Sequence, residues 1–295
     1  MIQFPLHTPP PRGTIKAKHA GPVWPRKEKK NVDVIFDRWP CGARRCVTFS
    51  YDDGQIEDRR LAELFRSLGL KATFHLNSAF FDDGKHVQPE EFKEVYSSHE
   101  LAAHTHTHPF LSQMPLAEVT GEIMENRMRL EEAWGEPVRG MSWPYGQYDP
   151  QTEAAAVACG IEYSRTTRER TDFLPPERPL EWHPTCHHNK GLEMWQAFMS
   201  RDYAKKMQLF YVWGHSFEFT RDNSWEMMEQ LCRAVAGRPE VWYATNIQII
   251  DYLNCLKHLR ATADGRVWQN HGPLDIWASV GGEPICIKAG QTLRL

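Results

Sequence analysis

From Arg44 onward, short apolar runs alternate with stretches of helical periodicity. Arg45-Cys46-Val47-Thr48-Phe49-Ser50 reads as a strand. Leu61, Leu64, Phe65 and Leu68 recur at the i, i+3, i+4, i+7 spacing of an amphipathic helix, with Gly69 placed to cap it. Lys71–Leu76 is a second strand and Leu101–His104 a short third. Leu116–Trp134 is a long helix with Val119, Ile123 and Leu130 on its inward face. Gly140–Trp143 is a fourth strand, Thr152–Cys159 a helix closed by Gly160, and Ile161–Arg165 a fifth strand. Leu209–Gly214 is strongly strand-like. Trp225–Ala236 follows as a helix, Val241–Ala244 as a strand and Ile247–Leu259 as a last helix. Repeated strand-then-helix units imply a parallel sheet, and about seven of them in one chain predict a distorted (β/α) barrel over residues 44–260.

The two flanks break this rhythm. Residues 1–43 are rich in Pro and charge, including Arg26-Lys27-Glu28-Lys29-Lys30, and read as an arm packed on the domain. In residues 261–295, Asp275–Val280, then Gly281-Gly282, then Pro284–Lys288 read as a β-hairpin, a small C-terminal antiparallel β appendage.

Composition narrows the function classes. Hydrophobic residues make up 41% of the 295, enough for a sizeable core. The formal net charge of −3 argues against a nucleic-acid partner, which would need a basic surface. Seven Cys at long spacings without a C-x-x-C fit reduced thiols better than a disulfide framework. Neither a signal-peptide core nor an apolar run of membrane-span length is seen, so a cytoplasmic protein without a membrane partner is expected. Eleven Trp are many, but core packing accounts for most before sugar stacking is invoked.

Three constellations fall at strand ends, where parallel α/β folds gather catalytic groups. The first is Ser50-Tyr51-Asp52-Asp53-Gly54. Adjacent carboxylates repel, so one is suited to a cation and the other to a proton, although an ordinary turn has the same sequence. The second is His104-Thr105-His106-Thr107-His108-Pro109. Two His four apart on a helical turn share a face and can share a metal, with His106 pointing away; a surface His cluster is the alternative. Thr105 and Thr107 are placed to orient the imidazoles. The third is Trp213-Gly214-His215-Ser216, where a strand-end His suits acid or base work, although a lone His is more often structural.

In this order the residues resemble the polysaccharide deacetylase (NodB-homology) family of carbohydrate esterases, over roughly residues 44–255. The family carries T-F-D-D-G, H-[ST]-x-x-H, R-x-P-Y-G, a D/W motif and L-H. Here Thr48-Phe49 leads into Asp52-Asp53-Gly54, the His104–His108 segment matches the second motif, Ser142-Trp143-Pro144-Tyr145-Gly146 aligns with the third, and Gly214-His215 with the last. The resemblance implies that Asp53, His104 and His108 hold one divalent ion, most simply Zn²⁺, with Co²⁺, Ni²⁺ or Mn²⁺ as alternatives. It implies Asp52 as general base, His215 as general acid, and the Tyr145 backbone N–H as an oxyanion donor. The expected partner is an acetylated carbohydrate, an amino sugar or a sugar ester, and the oligomeric state stays open.

Two departures stand out. Ser142 occupies the position of the third-motif Arg, which in the family pairs with the base, and no D-x-x-D-W follows. Arg165, at the end of the fifth strand, either supplies the missing charge from another wall or is a surface charge. Trp143, Trp213, Glu218, His187 and His188 are candidate substrate contacts. Two rival readings follow: an amidohydrolase of the same fold acting on a ureide or cyclic imide, and a carbohydrate-binding protein without catalysis.

Overall fold

A computed structural model of the protein describes residues 32–81, 83–201 and 205–295. Most of the N-terminal arm, with its basic run, lies outside the described residues. The elements in chain order are β1 (Val34–Ile35), β2 (Arg45–Asp53), α1 (Asp58–Ser67), β3 (Ala72–Leu76), α2 (Phe92–Val95), β4 (Glu100–Ala103), α3 (Leu116–Trp134) and β5 (Gly140–Ser142). Then come α4 (Pro150–Ala158), β6 (Tyr163–Arg165), β7 (Cys186–His187), α5 (Gly191–Ser200), β8 (Gln208–His215), α6 (Phe217–Arg221), α7 (Trp225–Val235), β9 (Val241–Tyr243) and α8 (Asn246–Leu256). The chain ends in β10 (Leu259–Ala261), β11 (Val267–Asn270), β12 (Ile276–Val280), β13 (Glu283–Ile287) and β14 (Thr292–Arg294).

The parallel sheet runs β6-β5-β4-β3-β2-β8-β7, and β9 joins the start of β2. Trp182 bridges Arg165 of β6, while Cys186 and His187 pair with β8, so the segment 182–187 links the two ends of the sheet into a distorted (β/α) barrel. Side chains alternate along β2 as a pleated strand requires. Val47, Phe49 and Tyr51 pack outward against Leu61 and Phe65 of α1. Thr48, Ser50 and Asp52 are buried on the other face. There Thr48 donates to Asn246 Oδ1 (2.9 Å) and Ser50 Oγ meets His75 Nδ1 (3.2 Å). The inner face is therefore a bonded polar column, and this is why β2 extends through both aspartates instead of stopping at the apolar run.

Local chemistry sets the helix ends. Asp149 caps α4 by accepting from the N–H groups of Gln151 and Thr152, so the helix begins at Pro150, two residues before the apolar pattern indicates. Thr245 does the same for α8 through Gln248 N, and that helix stops at Leu256, short of the expected Leu259.

The C-terminal part is more than one hairpin. The predicted hairpin is present, β12 with β13, turning at Gly281-Gly282. It belongs to the antiparallel sheet β1-β12-β13, beside a second one, β10-β11-β14. Val34 of the arm pairs with Val280. Among the described residues, no helix is long and apolar enough to cross a membrane.

Candidate active site

β2 delivers both carboxylates to one mouth through a backbone exception. Consecutive strand residues face opposite sides, so Asp52 and Asp53 would diverge on a regular strand. Asp53 takes a left-handed conformation, φ 76°, uncommon for a non-glycine residue. Gly54 follows with φ 76°, and a Cβ there would lie 2.6 Å from Leu76 Cδ2, so the turn needs glycine.

Asp53, His104 and His108 offer ligand atoms that all lie within 4.8 Å of one another. His104 Nε2 is 3.7 Å and His108 Nε2 4.0 Å from Asp53 Oδ1. The segment carrying the His pair is not a helical turn. It leaves β4 as a loop with left-handed residues at Thr105 (φ 66°) and His108 (φ 59°), and these reversals bring the two rings together. His106 turns aside to Ser78, 2.9 Å from its Oγ. Thr107 does not orient an imidazole; its N–H and hydroxyl donate to Glu122 on α3.

His104 is held by groups from other elements. Its Nδ1 faces the Ser142 carbonyl at 2.9 Å, and because a carbonyl only accepts, Nδ1 carries the proton and Nε2 presents a lone pair. Its backbone N–H donates to Asn126 Oδ1 (3.0 Å), while Asn126 Nδ2 donates to Leu76 O (3.0 Å). Asn126 is buried on the inward face of α3 among Val119, Ile123 and Leu130. Burial lowers the His104 pKa to about 3, against the pull of Asp52.

Asp52 is buried and paired. Arg165 Nη2 donates to its Oδ2, and Ser142 Oγ donates to its Oδ1 at 3.1 Å. Burial alone would raise this carboxyl, but the Arg165 guanidinium, followed by His104 and His75, holds it well below the usual carboxylate range. Ser142 of β5 and Arg165 of β6 are register partners, so the guanidinium comes from the strand next to the one that carries it in the family motif. Trp213 stacks on that guanidinium, its ring 4.6 Å away.

His215 ends β8 with Glu218 beneath it. Glu218 Oε2 is 3.7 Å from His215 Nδ1, 2.9 Å from His187 Nε2 and 3.5 Å from His188 Nε2. Burial opposes protonation of His215, but Glu218, Asp52 and Asp53 outweigh it and raise its pKa. Glu218 is itself held low: burial would raise it, but His187 and His215 prevail. Glu218 thus faces three imidazoles rather than standing free as a sugar contact.

Two other candidate contacts turn inward. Trp143 is buried, its indole N–H donating to Leu180 O, so its ring cannot face a sugar. His188 is buried and stacked on Tyr51. A Cβ on Gly214 would lie 2.1 Å from His188 Nδ1, so the glycine before His215 makes room for that ring. His187 is half-buried, edge-on to Trp213. Tyr145 sits at φ 57° with its ring exposed.

Sequence reasoning misses His75 and Asn126. His75 Nδ1 lies 3.5 Å from Asp52 Oδ1, and the two are register partners on β3 and β2. The signal for Asn126 was present: a polar residue inside an apolar helical stripe.

Residues 40–164 match the family model of the polysaccharide deacetylases. The Bacillus subtilis protein YxkH, assigned by name to the polysaccharide deacetylases, is 23% identical over 141 residues, 47% of this chain and 50% of the relative. The match spans half the length of that curated relative. Two solved structures share the fold. A Mycobacterium smegmatis protein assigned to the polysaccharide deacetylases aligns with a TM-score of 0.58 at 16% identity, over 77% of this chain and 96% of that one. The chitin deacetylase of Colletotrichum lindemuthianum aligns with a TM-score of 0.51 at 17% identity, over 69% and 86%. The family-model match over residues 40–164 and the shared barrel fold make the chain similar to the polysaccharide deacetylases.

Proposed function

We propose that the protein is a metal-dependent hydrolase that removes acetyl groups from an acetylated amino sugar or sugar ester. The observation that carries this reading is the meeting of Asp53, His104 and His108 beside a buried, ionised Asp52. One carboxylate and two imidazoles, one of them with its Nε2 freed by a carbonyl bond, form the donor set of a three-ligand catalytic site, and Zn²⁺ is the simplest occupant, ahead of Co²⁺, Ni²⁺ or Mn²⁺. A divalent ion bound there supplies a Lewis acid for the acetyl carbonyl and acidifies water.

The chain's own groups do the rest. Asp52, kept ionised by Arg165, accepts the proton of the attacking water. The Tyr145 N–H donates to the developing oxyanion, a bond of the kind worth about 3–4 kcal/mol. His215, held protonated by Glu218 and the aspartates, gives its proton to the departing amine or hydroxyl. The amidohydrolase reading drew on the Arg missing at Ser142, and Arg165 supplies a guanidinium to the same carboxylate, which removes that ground.

The test is acetate release from a panel of N- and O-acetylated sugars, with and without chelator and added metals. Release that needs metal and is lost in Asp52→Asn, with metal content unchanged, supports the reading. Silence of the metal-loaded wild type across the panel sinks it and leaves the amidohydrolase and the binding protein.

A further inference from the structure

A second group of metal-type donors stands at the same end of the barrel. His187 closes β7, His215 closes β8 and Glu218 lies in α6, and their ligand atoms all fall within 4.8 Å of one another. His187 Nε2 is 2.9 Å and His215 Nδ1 3.7 Å from Glu218 Oε2. A tetrahedral ion with bonds near 2.1 Å spaces its ligands about 3.4 Å apart, and these two separations bracket that value. The group shares no residue with Asp53, His104 and His108, although His215 is the register partner of Asp52.

Ordinary ion pairing leaves the group unsatisfied. Glu218 Oε2 and His215 Nδ1 are buried atoms that make no hydrogen bond, although three imidazoles crowd the oxygen, His188 Nε2 being the third at 3.5 Å. The other Glu218 oxygen accepts from Arg221 Nη2 (3.5 Å), which leaves Oε2 to the imidazoles. The His187 backbone N–H donates to Glu169 Oε1 at 2.9 Å, and its ring stands edge-on to Trp213, so its direction is set. The His187 and His215 side chains are 19% and 25% exposed, which gives an ion a way in. Two imidazole nitrogens and one carboxylate oxygen suit Zn²⁺, Co²⁺ or Ni²⁺, whereas Mg²⁺ and Ca²⁺ take shells of oxygen.

We propose that His187, His215 and Glu218 bind a second divalent ion, most simply Zn²⁺, and that filling this site takes His215 out of proton transfer. An ion bonded to Nδ1 displaces the proton from that nitrogen, so the ring can no longer be an imidazolium with an acidic N–H to give. The site itself stands without the deacetylase reading; its effect on turnover rests on that reading. Local charge makes it the weaker of the two sites. The first has two carboxylates, Asp52 and Asp53, beside Arg165, and the second a single carboxylate shared with Arg221. It therefore fills when zinc is in excess and empties on dialysis.

The experiment is equilibrium dialysis against graded Zn²⁺, read as metal per chain, on wild type, Asp53→Ala, His187→Ala and Glu218→Gln, with circular dichroism to check each fold. Wild type should take up two ions. Asp53→Ala should keep the weaker one. His187→Ala and Glu218→Gln should keep the tighter one and bind the weaker at least about tenfold less well, the smallest loss that removing even an outer partner of a metal site causes. Turnover is then followed as zinc rises. Filling the second site should slow wild type about a hundredfold on an N-acetyl sugar, the lower end of what a general acid contributes, but less than about twofold on 4-nitrophenyl acetate, whose leaving group needs no proton. A wild type that saturates at one ion, or a second ion kept by both His187→Ala and Glu218→Gln, overturns the site and leaves deacetylation intact. Equal slowing on the two substrates overturns the link to His215. No acetate release at low zinc sinks the deacetylase reading, and the ion count still decides the site.

Discussion

Arg165→Met tests the pair that stands where the family motif has its own arginine. Arg165 is fully buried, Asp52 is 2% exposed, and the guanidinium spans from β6 to the carboxylate on β2. Removing one partner of such a pair leaves the other charge stranded, which costs about 3–5 kcal/mol, whereas replacing both is often close to neutral. Met keeps an unbranched apolar side chain in the buried site but loses the charge that pairs with Asp52 and stacks on Trp213, so the loss is chiefly electrostatic. At about 2–4 °C per kcal/mol, Arg165→Met should lower Tm by on the order of 10 °C. Asp52→Asn should destabilise comparably, because Asn still accepts from Ser142 but strands Arg165. The double variant should recover about 3 kcal/mol relative to the sum of the singles. Urea unfolding of all four proteins in chelator, at neutral pH, measures this cycle. The sign with pH is fixed: the folded carboxyl titrates below its unfolded value of about 3.9, so its stabilisation is complete above that pH and fades as pH falls further. A coupling below about 0.5 kcal/mol would refute the argument, because independent sites add to within that margin.

Three further outcomes are expected. Asp53→Ala and His104→Ala should lose bound metal on dialysis while His106→Ala retains it, measured as metal per chain by atomic emission. Glu218→Gln should shift the alkaline limb of the kcat/KM profile to lower pH, because the carboxylate that raises the His215 pKa is gone; an unmoved limb would mean that His215 is not the titrating acid. Asn126→Leu should lower stability by only about 1 kcal/mol, because the His104 N–H keeps its bond to Leu76 O when the Asn126 amide bonds to both are lost, and should weaken metal affinity by loosening His104.

The sequence by itself determines the parts of this protein that are written in short windows. Strand-then-helix alternation gives the barrel, and Gly281-Gly282 gives the hairpin. Asp52, Asp53, His104 and His215 stand out because each closes a strand-like run, and His108 because it lies four residues past His104; strand ends in such a sheet share one rim. Three-dimensional pairing decides the rest. Ser142 looks like a lost arginine until the β5–β6 register sets Arg165 beside it. A helical turn and a loop with two left-handed residues both bring His104 and His108 together, and only the backbone tells them apart. Trp143 and His188 are plausible sugar contacts in sequence but are buried, because which face of a short segment points inward depends on packing from distant elements. Val34 finds its partner at Val280, a pairing invisible to any local pattern.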